Sequence, residues 1–350
     1  MSVVLYFIIG LVILCVFVTL HELGHYIAGR ALGFGIVEFA VGMGPAIIKK
    51  TKNGILYTLR ALPVGGMCRF YGEDEETGDG RAFGAQKPWK RAIVLASGAL
   101  MNLITAVVLA VIALMAIGVT VDYIPAVDSF TFENSPAQLA GLEPGDVFLA
   151  VDGQKLTPRD QFNSLLSLLS NAKSEACTVT VERGGETMDF TVRDFYSEAE
   201  GRNIIGIMIS GMPVYEKMGL GEALGSSFRY IWETIKALYG FIGMLFRGEI
   251  KQGDVMGPVG IAFLIADAAK QNVAQLLYIA VLISANLGVF NLMPLPALDG
   301  GRLVFVGLEA VRRKPMPPEK EGLVHLVGIV LLLGLIAYLT VTDIITRIGG

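Results

Sequence analysis

Four long apolar stretches limit what this chain can fold into more than any other feature. They run from Val3 to about Ala28, from Ala92 to about Thr120, from Leu276 to about Pro296 and from Leu323 to about Thr342. Each has roughly the 20 apolar residues that a helix needs to cross a hydrocarbon core about 30 Å thick. Only 17% of the 350 residues are charged, against about 25% in soluble domains. The sequence therefore predicts an α-helical polytopic membrane protein with four transmembrane helices.

Positive charges predict how these helices are oriented. Ten Lys and Arg residues lie between the first two stretches and five between the last two. Cytoplasmic loops are enriched in Lys and Arg, so both loops are predicted to be cytoplasmic, and both chain ends and the region from Val121 to Lys270 external. Within that region, Phe228 to Phe246 has charged residues at helical spacing opposite an apolar stripe, which predicts an amphipathic helix on the outer membrane surface.

The first stretch carries ionisable groups at membrane depth, where they are costly and usually functional. His21-Glu22-Leu23-Gly24-His25 is an HExxH pattern, and the chain has only three histidines. Histidines four apart share one face of a helix, and neutral imidazoles bind zinc. Glu22 is then the candidate general base that takes a proton from the activated water. The alternative is a polar patch satisfied within the helix bundle.

A catalytic zinc ion needs a third protein ligand and an open position. His325 begins the fourth stretch, where an interfacial histidine with its ring at the membrane surface is the expected role. Asp299 follows the third stretch at the same predicted depth as the two histidines, in Asn291-Leu292-Met293-Pro294-Leu295-Pro296-Ala297-Leu298-Asp299-Gly300-Gly301. We therefore expect one zinc ion on His21, His25 and Asp299, the alternative for Asp299 being a cap on a helix that starts at Gly301.

The external region from Val121 to about Ser210 has the composition of a small soluble α+β domain. The segment from Asn134 to Asp146 reads NSPAQLAGLEPGD and resembles the SPAxxAGLxPGD signature of bacterial PDZ domains. A PDZ domain binds extended peptide ends by adding a strand to a sheet edge. The alternative is a steric filter that binds nothing tightly.

A β-hairpin is predicted directly after the HExxH helix, from Gly35 to Phe70. Apolar residues alternate on both sides of Lys52-Asn53-Gly54, which is a hairpin turn signal. Tyr57 is expected at an edge of this hairpin.

HExxH in the first span together with NxxPxPxLDG in a later one resembles the site-2 protease family of intramembrane zinc metalloproteases. The PDZ signature resembles the bacterial RseP-like branch of that family, here with one PDZ domain rather than two. Further segments match in order: Gly42-Met43-Gly44-Pro45, Pro63-Val64-Gly65-Gly66, Lys87-Pro88-Trp89-Lys90-Arg91 and Met256-Gly257-Pro258-Val259-Gly260-Ile261. Two departures, Ser97-Gly98-Ala99 ahead of Asn102 and Met67-Cys68, touch no proposed metal ligand.

The resemblance implies further roles. It implies that Asn286, Asn291, Pro294 and Pro296 shape the substrate-facing part of the third span, although two prolines also break a helix without any other role. It also implies that the hairpin enters the membrane and receives an unwound substrate as an added strand, the alternative being an ordinary cytoplasmic hairpin. The implied location is a bacterial cytoplasmic membrane, and the implied substrates are single-span proteins such as anti-sigma factors or remnant signal peptides.

The predicted organisation has four parts. Residues 1–120 and 271–350 form the membrane protease core, 121–212 the external PDZ domain, and 213–270 an amphipathic surface segment. The lipid bilayer, single-span substrates and peptide C-termini at the PDZ domain are the expected partners. A net charge of -4 predicts no nucleic-acid partner.

Three other functions compete with an intramembrane protease. A metalloprotease of the HtpX or prenyl-protease type also pairs HExxH with membrane spans, but usually takes a downstream glutamate as third ligand. A non-catalytic PDZ adaptor with structural zinc would not need Glu22, and a zinc transporter would need more polar groups along its spans. Cys15, Cys68 and Cys177 have no CxxC spacing, so neither a disulfide framework nor a thiolate zinc site is predicted.

Overall fold

The computed structural model describes residues 3–73, 79–172, 176–193, 196–197, 202–249, 255–314 and 318–349. The helices are α1 (Val3–Leu32), α2 (Pro88–Ala116), α3 (Pro136–Leu139), α4 (Gln161–Asn171), α5 (Leu220–Arg247), α6 (Pro258–Gln271), α7 (Val273–Leu292), α8 (Asp299–Arg312) and α9 (Pro318–Gly349). The strands are β1 (Ile36–Lys52), β2 (Ile55–Phe70), β3 (Val119–Phe130), β4 (Val147–Val151), β5 (Gln154–Lys155), β6 (Ala176–Arg183), β7 (Glu186–Arg193), β8 (Tyr196–Ser197), β9 (Arg202–Asn203) and β10 (Ile207–Glu216). The chain divides into two compact units, residues 1–113 with 220–350, and residues 114–219.

Four helices of the described chain are long and apolar enough to cross a membrane. Their apolar segments are Phe7–Leu32 in α1, Pro88–Ala116 in α2, Val273–Leu292 in α7 and Glu321–Ile345 in α9. These are the four helices expected from the sequence. The third ends at Leu292 rather than near Pro296, because prolines at 294 and 296 have no N–H group to continue the helical hydrogen bonds.

Helix α5 packs part of its apolar stripe against α2 and α7, and its predicted place on the outer membrane surface stays a prediction. Its Ile231 shares an apolar cluster with Ala106 of α2 and Ala285 of α7, and its Leu238 clusters with Val289 and Met293. These contacts advance along α5 and α7 in the same direction, so α5 runs beside α7.

Helix α6 connects α1 with α9. Gly10 of α1 lies so close to α6 that a Cβ there would be 2.5 Å from the Ala262 carbonyl oxygen. At the start of α6 the residue in the capping position is Gly257, which has no side chain to accept a hydrogen bond. Asp343 of α9 takes over this task, because its carboxylate accepts a hydrogen bond of 2.7 Å from the Gly260 amide. This places a negative charge at the positive end of the helix dipole.

Strands β1 and β2 form a two-stranded antiparallel sheet that folds back on itself. They are joined at Asn53 and Gly54, both with positive φ angles, as a type I′ turn requires. Phe39 pairs with Tyr57 on one side and with Cys68 on the other, and Tyr57 also pairs with Lys50. Four chain segments therefore lie side by side in the order 66–70, 36–41, 55–60 and 46–52.

This order corrects the expected position of Tyr57. Tyr57 has partners on both sides and is an interior residue, whereas segments 46–52 and 66–70 form the two edges of the sheet. The fold-back is made at Gly42, whose φ is +85° and where a Cβ would lie 2.5 Å from the Leu62 carbonyl oxygen. Only glycine fits such a position without strain.

The unit of residues 114–219 is a mixed α/β domain. Its sheet has the strand order β10-β3-β4-β6-β7, with β5 paired to β4, and its core contains Phe148 and Leu165 of α4. The NSPAQLAGLEPGD segment forms α3 and a turn that ends at buried Asp146, which accepts hydrogen bonds from Arg183. Burial acts to raise the pKa of Asp146, but Arg183 outweighs burial and holds that pKa below its usual value. This ion pair fixes the turn against β6.

Candidate metal centre

His21 and His25 lie about one turn apart on the same face of α1, and α8 places Asp299 beside them. The Nε2 atoms of the histidines are 3.1 Å apart. The Oδ2 atom of Asp299 lies 3.0 Å from Nε2 of His21 and 3.2 Å from Nε2 of His25. Among the described residues this is the one group of His, Cys, Asp and Glu side chains whose ligand atoms converge closely enough to hold a metal ion.

Glycines on α1 and α2 make room for this group. A Cβ at Gly24 would lie 2.3 Å from the Ser97 carbonyl oxygen, and a Cβ at Gly98 would lie 2.4 Å from Nε2 of His25. Any larger residue at position 98 would occupy the space where the two histidines converge. The contact explains why Ser97-Gly98-Ala99, noted above as a departure, keeps its glycine.

Helix α2 also orients both imidazoles. Nδ1 of His25 donates a hydrogen bond of 2.8 Å to the Val94 carbonyl, which leaves the Nε2 lone pair free to bind a metal. Nδ1 of His21 lies 3.4 Å from the side-chain nitrogen of Asn102, whose side-chain oxygen is buried with no partner among the described residues. Sequence reasoning missed Asn102 as an orienting residue, although its spacing of four from Gly98 places it on the same face of α2.

The loop from Met293 to Leu298 aims Asp299 at the histidines. Two glycines follow Asp299 because the loop passes against the first turn of α8: a Cβ at Gly300 would lie 2.1 Å from the Met293 carbonyl oxygen, and one at Gly301 would lie 2.3 Å from the Leu295 carbonyl oxygen. Helix α8 begins at Asp299 itself, not at Gly301. The carboxylate is therefore not used as a cap and faces His21 and His25.

Glu22 and the edge of the sheet face the same cavity. A cavity of about 260 Å³ is lined by the HExxH residues, Asp299 and the edge residues Gly66 to Cys68. The edge is so close that a Cβ at Gly66 would lie 3.0 Å from Cγ of Glu22. Cys68 lines this cavity, but its thiol is not among the converging ligand atoms, and burial raises its pKa.

The four predicted substrate-facing residues have different surroundings. Asn291 lines the cavity, and its amide nitrogen donates a hydrogen bond of 2.9 Å to the Leu287 carbonyl. Asn286, Pro294 and Pro296 do not line it. Pro296 contacts α9 instead, where a Cβ at Gly328 would lie 2.3 Å from the Pro296 Cβ.

An ion pair that sequence reasoning missed joins the sheet to α8 beside the cavity. Arg302, one turn after Asp299, donates to Glu73 at 2.5 Å, and the other oxygen of Glu73 accepts from the Phe70 amide at 3.1 Å. The Arg302 guanidinium also lies 5.3 Å from the centre of the Phe83 ring. Through these contacts the end of β2 and the helix that carries Asp299 are tied together.

His325 is not in the group of converging ligand atoms, and its ring faces the loop before Asp299. Its Nδ1 accepts a hydrogen bond of 3.1 Å from the Ala297 amide. The loop before Asp299 therefore offers this ring a hydrogen-bond donor, and the position of the ring at the membrane interface stays a prediction.

The profile of peptidase family M50 matches residues 7–335, nearly the whole chain. The chain belongs to peptidase family M50. A Clostridium perfringens protein is 33% identical to this M50 peptidase over 342 residues, covering 97% of this chain and 99% of the relative. Proteins named zinc metalloprotease RasP are 29% identical in Shouchella clausii, over 95% of this chain and 97% of the relative, and in Oceanobacillus iheyensis, over 94% and 96%.

The M50 family and these relatives establish a membrane-bound zinc metalloprotease. The competing predictions of a non-catalytic adaptor and of a zinc transporter are thereby set aside. The residues at the centre fit zinc, since two imidazole nitrogens and one carboxylate oxygen form a donor set typical of catalytic sites. Their separations of 3.0 to 3.2 Å are close to the roughly 3.3 Å between ligands in a tetrahedral site with bonds of about 2.0–2.1 Å.

Proposed function

We propose that this M50 peptidase is an intramembrane endopeptidase that cleaves the transmembrane segments of single-span proteins. We assign it to a bacterial cytoplasmic membrane and to the RseP-like branch, with a single PDZ domain. One observation carries the proposal: the candidate ligands and Glu22 share a cavity with a free strand edge, and α1, which carries three of these four side chains, is an apolar helix long enough to span a bilayer. A protease centre at such a position is suited to substrates that enter from the membrane.

His21, His25 and Asp299 would hold the zinc ion, and Glu22 would be the general base. When bound, zinc supplies Lewis acidity for the scissile carbonyl and lowers the pKa of a water molecule to about 7. The Glu22 carboxylate would accept one proton from the water whose oxygen attacks the carbonyl carbon. Glu22 would then return this proton to the amide nitrogen as the C–N bond breaks, so that the products are a carboxylic acid and an amine.

Segment 66–70 is the proposed docking edge for the substrate backbone. A peptide bond in a transmembrane helix is shielded by helical hydrogen bonds, and freed backbone groups at membrane depth must find new partners. An unwound segment added to this edge as a strand would satisfy one side of its backbone. The close approach of Gly66 to Glu22 supports the edge at 66–70, whereas the other edge, 46–52, does not line the cavity.

The unit of residues 114–219 is proposed to lie on the external side as a PDZ-type filter. The Lys and Arg distribution of the loops supports this topology. The filter would exclude membrane proteins with bulky external domains and admit stubs already trimmed by another protease. Anti-sigma factors and remnant signal peptides are substrates of this kind, and capture of peptide C-termini is the second role open to the domain.

Cleavage of a single-span substrate by the purified chain in detergent tests this function. Because general acid–base catalysis typically contributes about 10²- to 10⁴-fold, Glu22→Gln should lower cleavage at least about 100-fold while bound zinc is unchanged. His21→Ala is the matched control and should lose both zinc and cleavage. Equal cleavage by Glu22→Gln and the parent would show that Glu22 is not the base, and cleavage only outside the transmembrane segment would contradict intramembrane proteolysis.

A further inference from the structure

The backbone between α7 and α8 has few hydrogen bonds of its own. Within the loop, the Leu295 amide donates to the Met293 carbonyl at 2.7 Å and the Leu298 amide donates to the Leu295 carbonyl at 3.3 Å. The Ala297 amide donates outside the loop, to Nδ1 of His325 on α9. This bond is the polar contact that holds the middle of the loop from the outside.

Ala297 is also in a conformation that costs free energy. Its φ is +74°, in the left-handed region, where the Cβ of an L residue crowds the backbone. Such a conformation persists only where surrounding contacts enforce it. Ala297 lies two residues before Asp299, so a change of its backbone angles would swing the Asp299 carboxylate away from the histidines.

The His325 ring is itself held in place. It packs edge-on against Phe305 of α8, with ring centres 5.7 Å apart, and its side chain is 15% exposed. One turn further along α9, Gly328 lies directly against Pro296. Helix α9 thus contacts the loop at two successive turns, and the glycine allows the close approach that brings the ring to the Ala297 amide.

We propose that His325 is a positioning residue of the metal centre: its Nδ1 lone pair fixes Ala297 in the left-handed conformation and so sets the direction of the Asp299 carboxylate. The ring acts as the neutral tautomer with its proton on Nε2, because Nδ1 accepts. The proposal rests on the proposed ligand set of His21, His25 and Asp299. It predicts that His325 sets zinc affinity without touching the ion.

Two substitutions that introduce an amide side chain test where the hydrogen-bond acceptor for the Ala297 amide must lie. In His325→Asn the side-chain oxygen replaces Nδ1 at the same distance from the backbone, whereas in His325→Gln it moves to the position of Nε2. His325→Leu removes the acceptor. Glu321→Gln is the matched control, because Glu321 is the acidic neighbour of His325 with an oxygen 3.9 Å from Nε2 but makes no contact with Ala297.

The main measurement is the zinc affinity of the full-length chain in detergent, determined by competition with a chromophoric chelator. The absorption spectrum of the Co²⁺-substituted protein and the melting temperature of the metal-free protein are measured beside it. Loss of one hydrogen bond of this kind typically changes an equilibrium about 2- to 12-fold. His325→Leu and His325→Gln should therefore weaken zinc binding about 3- to 10-fold and alter the Co²⁺ bands, while His325→Asn and Glu321→Gln remain within about twofold of the parent.

Unchanged zinc affinity in both His325→Leu and His325→Gln would overturn the proposal. A lower melting temperature with unchanged affinity would also overturn it, since that result describes a purely structural role. If His325→Leu does not fold, the comparison of the Asn and Gln variants decides alone, and equal affinity of the two overturns the proposal. Asp299→Ala is measured in parallel: retained zinc affinity in that variant would show that the proposed ligand set itself is wrong.

Discussion

We infer that the side-chain amide of Asn102 sets which nitrogen of His21 carries the proton. With its nitrogen facing Nδ1 of His21 at 3.4 Å, the buried oxygen of Asn102 has no partner among the described residues. Rotation of the amide by 180° presents the oxygen to Nδ1–H, satisfies it, and leaves the Nε2 lone pair for the metal. Partners of this kind typically contribute about 10- to 100-fold to metal affinity.

We therefore expect Asn102→Leu to lower zinc affinity by about 10-fold or more, and Asn102→Asp to retain it. Equilibrium competition with a chelator measures both. Ser284→Ala is the control, because Ser284 donates to the Asn102 backbone carbonyl and not to its amide. Equal zinc affinity in Asn102→Leu and the parent would show that His21 needs no partner at Nδ1.

At the scale of elements, the folded-back sheet has one edge at the cavity. Successive N–H groups of a strand point to opposite sides, so one of the neighbours Met67 and Cys68 directs its N–H to the free edge. Proline has no N–H and is tolerated at edge positions. The outward N–H is that of Cys68, which donates a hydrogen bond to the Glu22 carboxylate. We expect that Cys68→Pro raises the KM for a single-span substrate and leaves bound zinc unchanged, whereas Met67→Pro removes an N–H that faces the neighbouring strand.

Met67→Ala and Cys68→Ala separate the backbone from the side chain in this experiment. Both should cleave with a KM near that of the parent. Tyr57→Pro is expected to unfold the sheet, because Tyr57 pairs on both sides. If Cys68→Pro cleaves with unchanged KM and full zinc, the substrate does not bind as an added strand at this edge.

At the scale of the whole molecule, the two units allow a clean deletion. Strands β3 and β10 form a long antiparallel ribbon in which Asp122 pairs with Val214. Replacing residues 123–213 by Asn-Gly closes this ribbon with a two-residue type I′ turn. If the unit is a size filter, the shortened protein should cleave untrimmed substrates with large external domains, which the full chain leaves intact.

Trimmed substrates serve as the internal control for the deletion. They should be cut at similar rates by both proteins, which shows that the remaining membrane unit folds and is active. If the shortened protein cuts trimmed substrates but still leaves the untrimmed ones intact, the filter hypothesis is wrong and the unit has a different role.

The sequence alone determined the features that depend on local chain geometry. The lengths of apolar stretches predicted the four membrane-spanning helices, because a bilayer fixes the helix length that crosses it. The spacing of four between His21 and His25 predicted a shared helix face, because 3.6 residues complete one turn. Asp299 could be chosen as the third ligand since charge distribution in the loops predicted its depth.

Only the tertiary structure decided which distant residues meet. Asn102, Arg302 and His325 acquire their partners from distant segments of the chain, and no periodicity within one segment predicts such contacts. Tyr57 was placed at an edge because a simple hairpin has two edges, whereas a fold-back at Gly42 adds further pairings that local sequence does not specify. The stripe of α5 predicts burial in an apolar environment, but lipid and protein satisfy it equally, so packing on α7 became visible only in the assembled fold.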